Sequence, residues 1–266
     1  MSEISWAKRF YWSLRREAWE HPSLWVAPLA AAGVAVLGVA VSRVAGAATP
    51  VGFPAGQPYD FVIGVVMLAA YIVALFYSLD ALYGERRDRS ILFWKSLPVS
   101  DATTVVAKLS VPLLLVPLIA CAVTIPALLL MAPLTREHPP FLRTSALLLY
   151  HLLTVHSLWW APLFGWLFLI SAAVRRAPFV WATVPLFVAS FVERMAFGTS
   201  YAARFLGTRF TASPEAIVAH GKLPTDPMTR MTPGAFLQSP GLWIGLAMAA
   251  VFAIAAVRLR RRNGPT

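Results

Sequence analysis

"FVIGVVMLAAYIVALFYSL", residues 61–79, is a run of nineteen residues without a charge, held between Asp60 and Asp80. A helix rises about 1.5 Å per residue, so this run reaches roughly 30 Å, the thickness of a bilayer's hydrocarbon core. The fold therefore turns on whether such runs recur, and they do. Ser23 to Ser42 precedes it. Others lie between Lys108 and Arg136, between Arg143 and Arg175, and between Arg230 and Arg258, with a shorter one between Arg176 and Glu193. Backbone groups in lipid must be satisfied within their own segment, and the alternation of a membrane barrel is absent, so the runs read as helices. The expectation is an all-α integral membrane protein: one domain with six transmembrane helices at about 23–42, 61–82, 107–132, 145–173, 177–196 and 240–258.

Composition agrees. The chain of 266 residues is 58% hydrophobic and 13% charged, with a mean hydropathy of +0.66. Soluble domains are nearer half apolar and a quarter charged. The net charge of +11 would suggest nucleic acid on a soluble protein. Here Lys and Arg sit at the ends of apolar runs, with no basic stripe on a soluble domain, so no nucleic-acid partner is expected. The lone Cys121 lies inside a run, which excludes an intrachain disulfide and a cysteine metal cluster. Ala45-Gly46-Ala47 is like a signal-cleavage site, but the run before it is too long for a signal core, so the first run reads as a retained span.

Six spans put both termini on one side, and the charges choose it. The leader, the second-to-third connection, the fourth-to-fifth turn and the tail carry fifteen Lys and Arg; the opposite side carries eight, most of them in one long loop. The positive-inside rule makes both termini cytoplasmic. Within the leader, residues 4–20 place Trp6, Phe10, Leu14 and Trp19 near one helical stripe, which suggests an interfacial helix in contact with membrane lipid. The extended outer loop, Glu193 to Pro240, mixes Phe197, Tyr201, Phe205 and Ile217 with small residues. It reads either as half-helices turning back into the membrane or as a solvated loop with a surface helix. Pro112, Pro117, Pro126 and Pro162 are kink positions within spans.

No phosphate-binding loop, H-E-x-x-H or G-x-S-x-G motif is present. Intramembrane polar candidates are Asp80, His151 and His156. Asp80 is placed to pair with an arginine among Arg86 to Arg89. His151 and His156, five apart, face different sides of an α-helix and do not suit a shared metal. Each fits a proton relay or a hydrogen bond across the bundle. No metal and no catalytic residue is assigned, and the chain shows no sign of an energy source of its own.

The segment "YGERRDRSILFWKSLPVSD", residues 83–101, turns from the charges Glu85, Arg86, Arg87, Asp88 and Arg89 to the apolar Ile91, Leu92, Phe93 and Trp94, then Lys95. A short helix from Arg87 to Lys95, stopped by Pro98, fits a groove in a partner; Ser100 or Asp101 then caps the next helix. The alternative is that the apolar patch dips into the inner leaflet. The stretch "ERRDRSILFWKSLPVSD", residues 85–101, resembles the cytoplasmic loop of bacterial ABC-2-type transporter permeases, and the six-span architecture is similar. The resemblance implies a coupling helix that docks on a separate ATP-binding subunit. It implies two such subunits, which hold ATP and Mg, and a second permease, identical or related. Arg175 and Arg176 would form a second cytoplasmic contact. The chain would then be a non-enzymatic subunit of an exporter in the bacterial inner membrane. A membrane-embedded enzyme and a non-transporting scaffold or sensor are the alternatives.

Overall fold

The computed structural model describes residues 5–46, 58–96, 99–135, 141–211 and 233–262. Arg136, Ile217, Lys222 and Arg230 lie outside them, as does Pro98, the expected stop of the short loop helix. The described residues are helical, without strands. We number the α-helices α1 (Trp6–Glu20), α2 (Ser23–Val44), α3 (Pro58–Asp80), α4 (Tyr83–Arg87), α5 (Ile91–Ser96), α6 (Asp101–Ser110), α7 (Val116–Met131), α8 (Phe141–His151), α9 (Ala161–Ala173), α10 (Pro178–Phe197), α11 (Tyr201–Thr211), α12 (Pro233–Gln238) and α13 (Pro240–Arg262). Two π-helical stretches, Val111–Leu115 and Leu152–Trp159, join α6 to α7 and extend α8.

Five helical stretches are long and apolar enough to cross a membrane, and α8 with α9 makes a sixth if that bent pair is one span. The bend is 48°. It falls at Trp160, and Pro162 lies in the first turn of the next helix. A proline there has no N–H to give the preceding turn and crowds its carbonyl, so the helix breaks.

The bundle closes around α3. Val62, Val66, Ala70 and Ala74, four residues apart, form a stripe with no exposed area. α2 and α7 pack on one side of it and α9 on another, while α13 lies along α9. Gly165 makes the last contact close: a Cβ there would stand 3.2 Å from the backbone of Ala249. Small residues at such crossings let membrane helices approach, since lipid gives apolar side chains little reason to leave it. The outward faces of α2 and α10 carry Val34, Leu37, Phe187 and Phe191, all largely exposed.

The turn from α9 to α10 is tight. Ala177 takes φ 49° and ψ 59°, the left-handed region, just before Pro178. A Cβ in that region costs about 1–2 kcal/mol. Ala177→Gly is therefore expected to raise stability by up to about 1 kcal/mol, part of the gain being lost to a freer unfolded chain. Thermal unfolding in detergent reads this out, and a lowered midpoint would contradict it.

Candidate functional site: a buried charge cluster beneath an exposed apolar pair

The loop after α3 does not form one helix from Arg87 to Lys95. Arg89 adopts φ 59° and breaks it into α4 and α5. Ser100 caps α6, accepting a hydrogen bond from the Thr103 amide at 3.1 Å. The first of these short helices belongs to a buried set of charges drawn from four parts of the chain.

Glu17 of α1 has no exposed area. It accepts hydrogen bonds from Tyr77 Oη at 2.7 Å, Lys108 Nζ at 3.0 Å and Arg16 at 2.6 Å. Lys108 of α6 also lies 3.2 Å from Glu85 of α4, at ion-pair distance. The second oxygen of Glu85 pairs with Arg260 of α13, whose Nε donates to Asp101 at 3.0 Å. Three carboxylates thus meet three cations, and α1, α3, α4, α6 and α13 are pinned at one end of the bundle. Opposite charges this deeply buried are tolerated only when matched and hydrogen-bonded.

Arg86 fixes α4 to α9. Its guanidinium donates to the carbonyls of Ser171 at 2.5 Å and Val174 at 2.8 Å, at the C-terminal end of α9. A cation is favoured there because the last helical carbonyls lack partners. Ser171 Oγ in return accepts from the amides of Leu82 and Tyr83 at 3.0 and 2.9 Å.

Three placements differ from the sequence expectation. Glu85 and Arg86 are not rim charges: both are buried within this chain because Arg260, Lys108 and the α9 carbonyls satisfy them. Ile91 is buried too, at 1% exposure, and forms the foot of α5 rather than a face for a partner. Trp94 is half-buried, with the Arg16 guanidinium 3.9 Å over its ring, so it ties α5 to α1. What remains outward is Leu92 at 59% and Phe93 at 60% exposure, flanked by Arg87, Asp88, Arg89 and Lys95. Arg175 and Arg176 are exposed in the neighbouring turn. α1 also differs: Leu14 packs on the core beside Glu17, Phe10 is half-buried and stacks on exposed Trp6, and Trp19 is exposed, so the inward face is less an apolar stripe than a charged seat.

Asp80 lies at this end, half-exposed, 3.8 Å from Arg87. The histidines lie elsewhere. His151 and His156 line one cavity of about 130 Å³ with Tyr71. The expectation that they face different sides fails because the helix there is π-helical, with bonds from i to i+5, so five residues make about one turn. The Trp160 amide, for instance, reaches the Val155 carbonyl at 3.2 Å.

Glu17, Glu20 and His21 have ligand atoms close enough for one metal ion, but both Glu17 oxygens are already engaged by Lys108, Arg16 and Tyr77. Burial alone would raise the Glu17 carboxyl. Lys108, then the hydrogen bonds of Arg16 and Tyr77, outweigh it and hold the group down from 4.5 to about 2. A carboxylate depressed on folding adds stability above its unfolded value and loses it as pH falls toward its folded value. Between pH 4.5 and about 2 the protein is expected to lose on the order of 3 kcal/mol through this group. Glu17→Gln should flatten that part of the stability–pH curve; an unchanged slope would contradict the assignment.

No family model, curated protein or solved structure matches the chain.

Proposed function

We propose that the chain is the membrane subunit of an ATP-driven exporter of the ABC-2 type, and that α4–α5 is where a separate ATP-binding subunit pushes on it. One observation carries the reading: Leu92 and Phe93 project from α5, which is seated by buried Ile91 and by Trp94 under Arg16 and follows directly on α4, whose Glu85 and Arg86 are locked into the bundle. A loop that only covers a membrane edge has no need of such bracing. A contact that passes force to α1, α3, α6, α9 and α13 does, because coupling needs a physically continuous path. An exposed apolar pair rimmed by charges suits a groove in a partner. The exposed Arg175 and Arg176 extend the contact.

In this reading ATP and Mg belong to two partner ATPases, and a second permease, identical or related, completes the transporter. The charged end faces the cytoplasm of a bacterial inner membrane, and α1, with Trp6, Tyr11, Trp12 and Trp19 exposed, rests on its lipid headgroups. An embedded enzyme built on Asp80, His151 and His156 gains no support. Asp80 stands about 13 Å farther along α3 than Tyr71, the residue beside His156.

The test is purification of the chain from native membranes with its bound partners. An ATP-hydrolysing polypeptide should co-purify, and its turnover should fall when Leu92 and Phe93 are both replaced by Asp. Recovery of the chain without any ATPase from gently solubilised membranes would overturn the reading.

A further inference from the structure

Away from the charged end, Arg209 of α11 is buried to 5% exposure, and no carboxylate among the described residues pairs with it. Its guanidinium donates to two backbone carbonyls, Trp159 O at 2.7 Å and Gly241 O at 2.6 Å. It stacks 3.9 Å over the Trp159 ring. Its own carbonyl accepts from Trp160 Nε1 at 2.8 Å, so α11 is fixed where it lies. α13 makes room for the charge with Gly245: a Cβ there would stand 2.5 Å from the guanidinium. The position is built, yet its electrostatics are unfinished. Among the described residues, Arg209 Nε and the adjacent Trp159 Nε1 are both buried donors without an acceptor. Unmet buried donors are costly and native structures rarely leave them so, least of all beside an uncompensated charge. Among the described residues the buried cation is left without a counter-charge, which points to an anion at this place.

Arg209 also lines a cavity of about 200 Å³, with Trp166, Leu186 and Phe252 among its walls. A larger cavity of about 490 Å³ adjoins it, sharing Leu163, Trp166, Leu186 and Leu206. The larger one is apolar in effect. The hydroxyls of Thr183 and Ser190 on its wall are spent on Phe179 and Leu186 carbonyls of their own helix. Together the two cavities are in the size range of ligand pockets. Their walls come from α9, α10, α11 and α13, with Leu75 and Leu79 of α3. A cavity that is charged at one end and greasy along its length matches an amphiphile.

We propose that this is a binding site for an anionic phospholipid of the surrounding bilayer, with its phosphate at the Arg209 end and an acyl chain in the apolar cavity. The site depends on the membrane-spanning fold and is independent of the ATPase reading. It gives α11 a role the sequence left open: the helix packs on the spans and carries the headgroup's counter-charge.

The experiment reconstitutes the delipidated chain with equal amounts of phosphatidylglycerol and phosphatidylcholine bearing the same acyl chains, and counts retained lipids by native mass spectrometry. The wild type should retain phosphatidylglycerol over phosphatidylcholine by about tenfold, the scale of one charge-assisted contact. Arg209→Gln should bring that preference close to one. Arg209 also braces Trp159 and Gly241, so a second variant guards against misfolding. Leu186→Trp fills the cavity without touching either carbonyl, and should reduce retention of both lipids. Inorganic phosphate at millimolar concentration should leave the phosphatidylglycerol in place. Equal retention of the two lipids by the wild type, full retention in folded Leu186→Trp, or displacement by phosphate alone would each overturn the proposal.

Discussion

Lys108→Ala is expected to cost about 3 kcal/mol, the low end of what breaking a buried ion pair costs. Among the described residues, Lys108 is the one cation that touches both Glu17 and Glu85, at 3.0 and 3.2 Å. Removing it leaves two buried carboxylates sharing less positive charge. The cost stays below the extreme because Glu17 keeps Arg16 and Tyr77, and Glu85 keeps Arg260. For a chain of this size the thermal midpoint should drop by roughly 6–12 °C. Pairing Lys108→Met with Glu17→Gln should recover more than half of that loss, since deleting both halves of a buried pair is far less damaging than deleting one. A loss under about 1 kcal/mol in the single variant would mean that the cluster does not hold α1 to the bundle.

If α5 docks on an ATPase as proposed, Phe93→Ala is expected to weaken that docking by roughly thirtyfold, about 2 kcal/mol, the scale of an aromatic anchor at an interface centre. Replacing Arg87 or Arg89 should do less, because exposed rim charges mainly tune encounter rate and salt dependence. Trp94→Ala should behave differently from both. Its ring lies under Arg16, so its loss removes a cation–π contact between α5 and α1, worth about 1 kcal/mol, and should show in stability before docking. Surface plasmon resonance with the solubilised variants separates these effects. Equal binding by wild type and Phe93→Ala would show that Leu92–Phe93 is not the docking face.

The six apolar runs were legible because a bilayer imposes one length and one composition on a span. Their ends were marked by the residues that cannot enter lipid, such as Asp60, Asp80 and Arg175. A cap at Ser100 or Asp101 was legible from local chemistry, and Pro162 was one of four prolines marked as kink positions. The charge cluster was not. Glu17, Lys108 and Arg260 are each ordinary interfacial charges when read along the chain, and only the packing of α1 on α6 and α13 on α9 brings them together. A hint was available: Glu17 falls a turn after Leu14 on the stripe from Phe10, a carboxylate where an apolar residue belongs. The pairing of His151 with His156 was hidden by the period itself. A reading at 3.6 residues per turn separates them, and nothing in the local sequence announces a π-helical stretch of eight residues. Arg209 was counted only as one more charge on the far side, since its burial depends on the space left by Gly245 on another helix.

The most direct test of the central claim is a photo-activatable cross-linking residue at position 93, used in native membranes. If α5 docks on an ATP-binding subunit, illumination should join the chain to a single polypeptide with ATPase activity. The same residue at position 94 should mark α1 of the same chain. Adducts at position 93 with lipid alone would make the exposed pair a membrane anchor and contradict the coupling role.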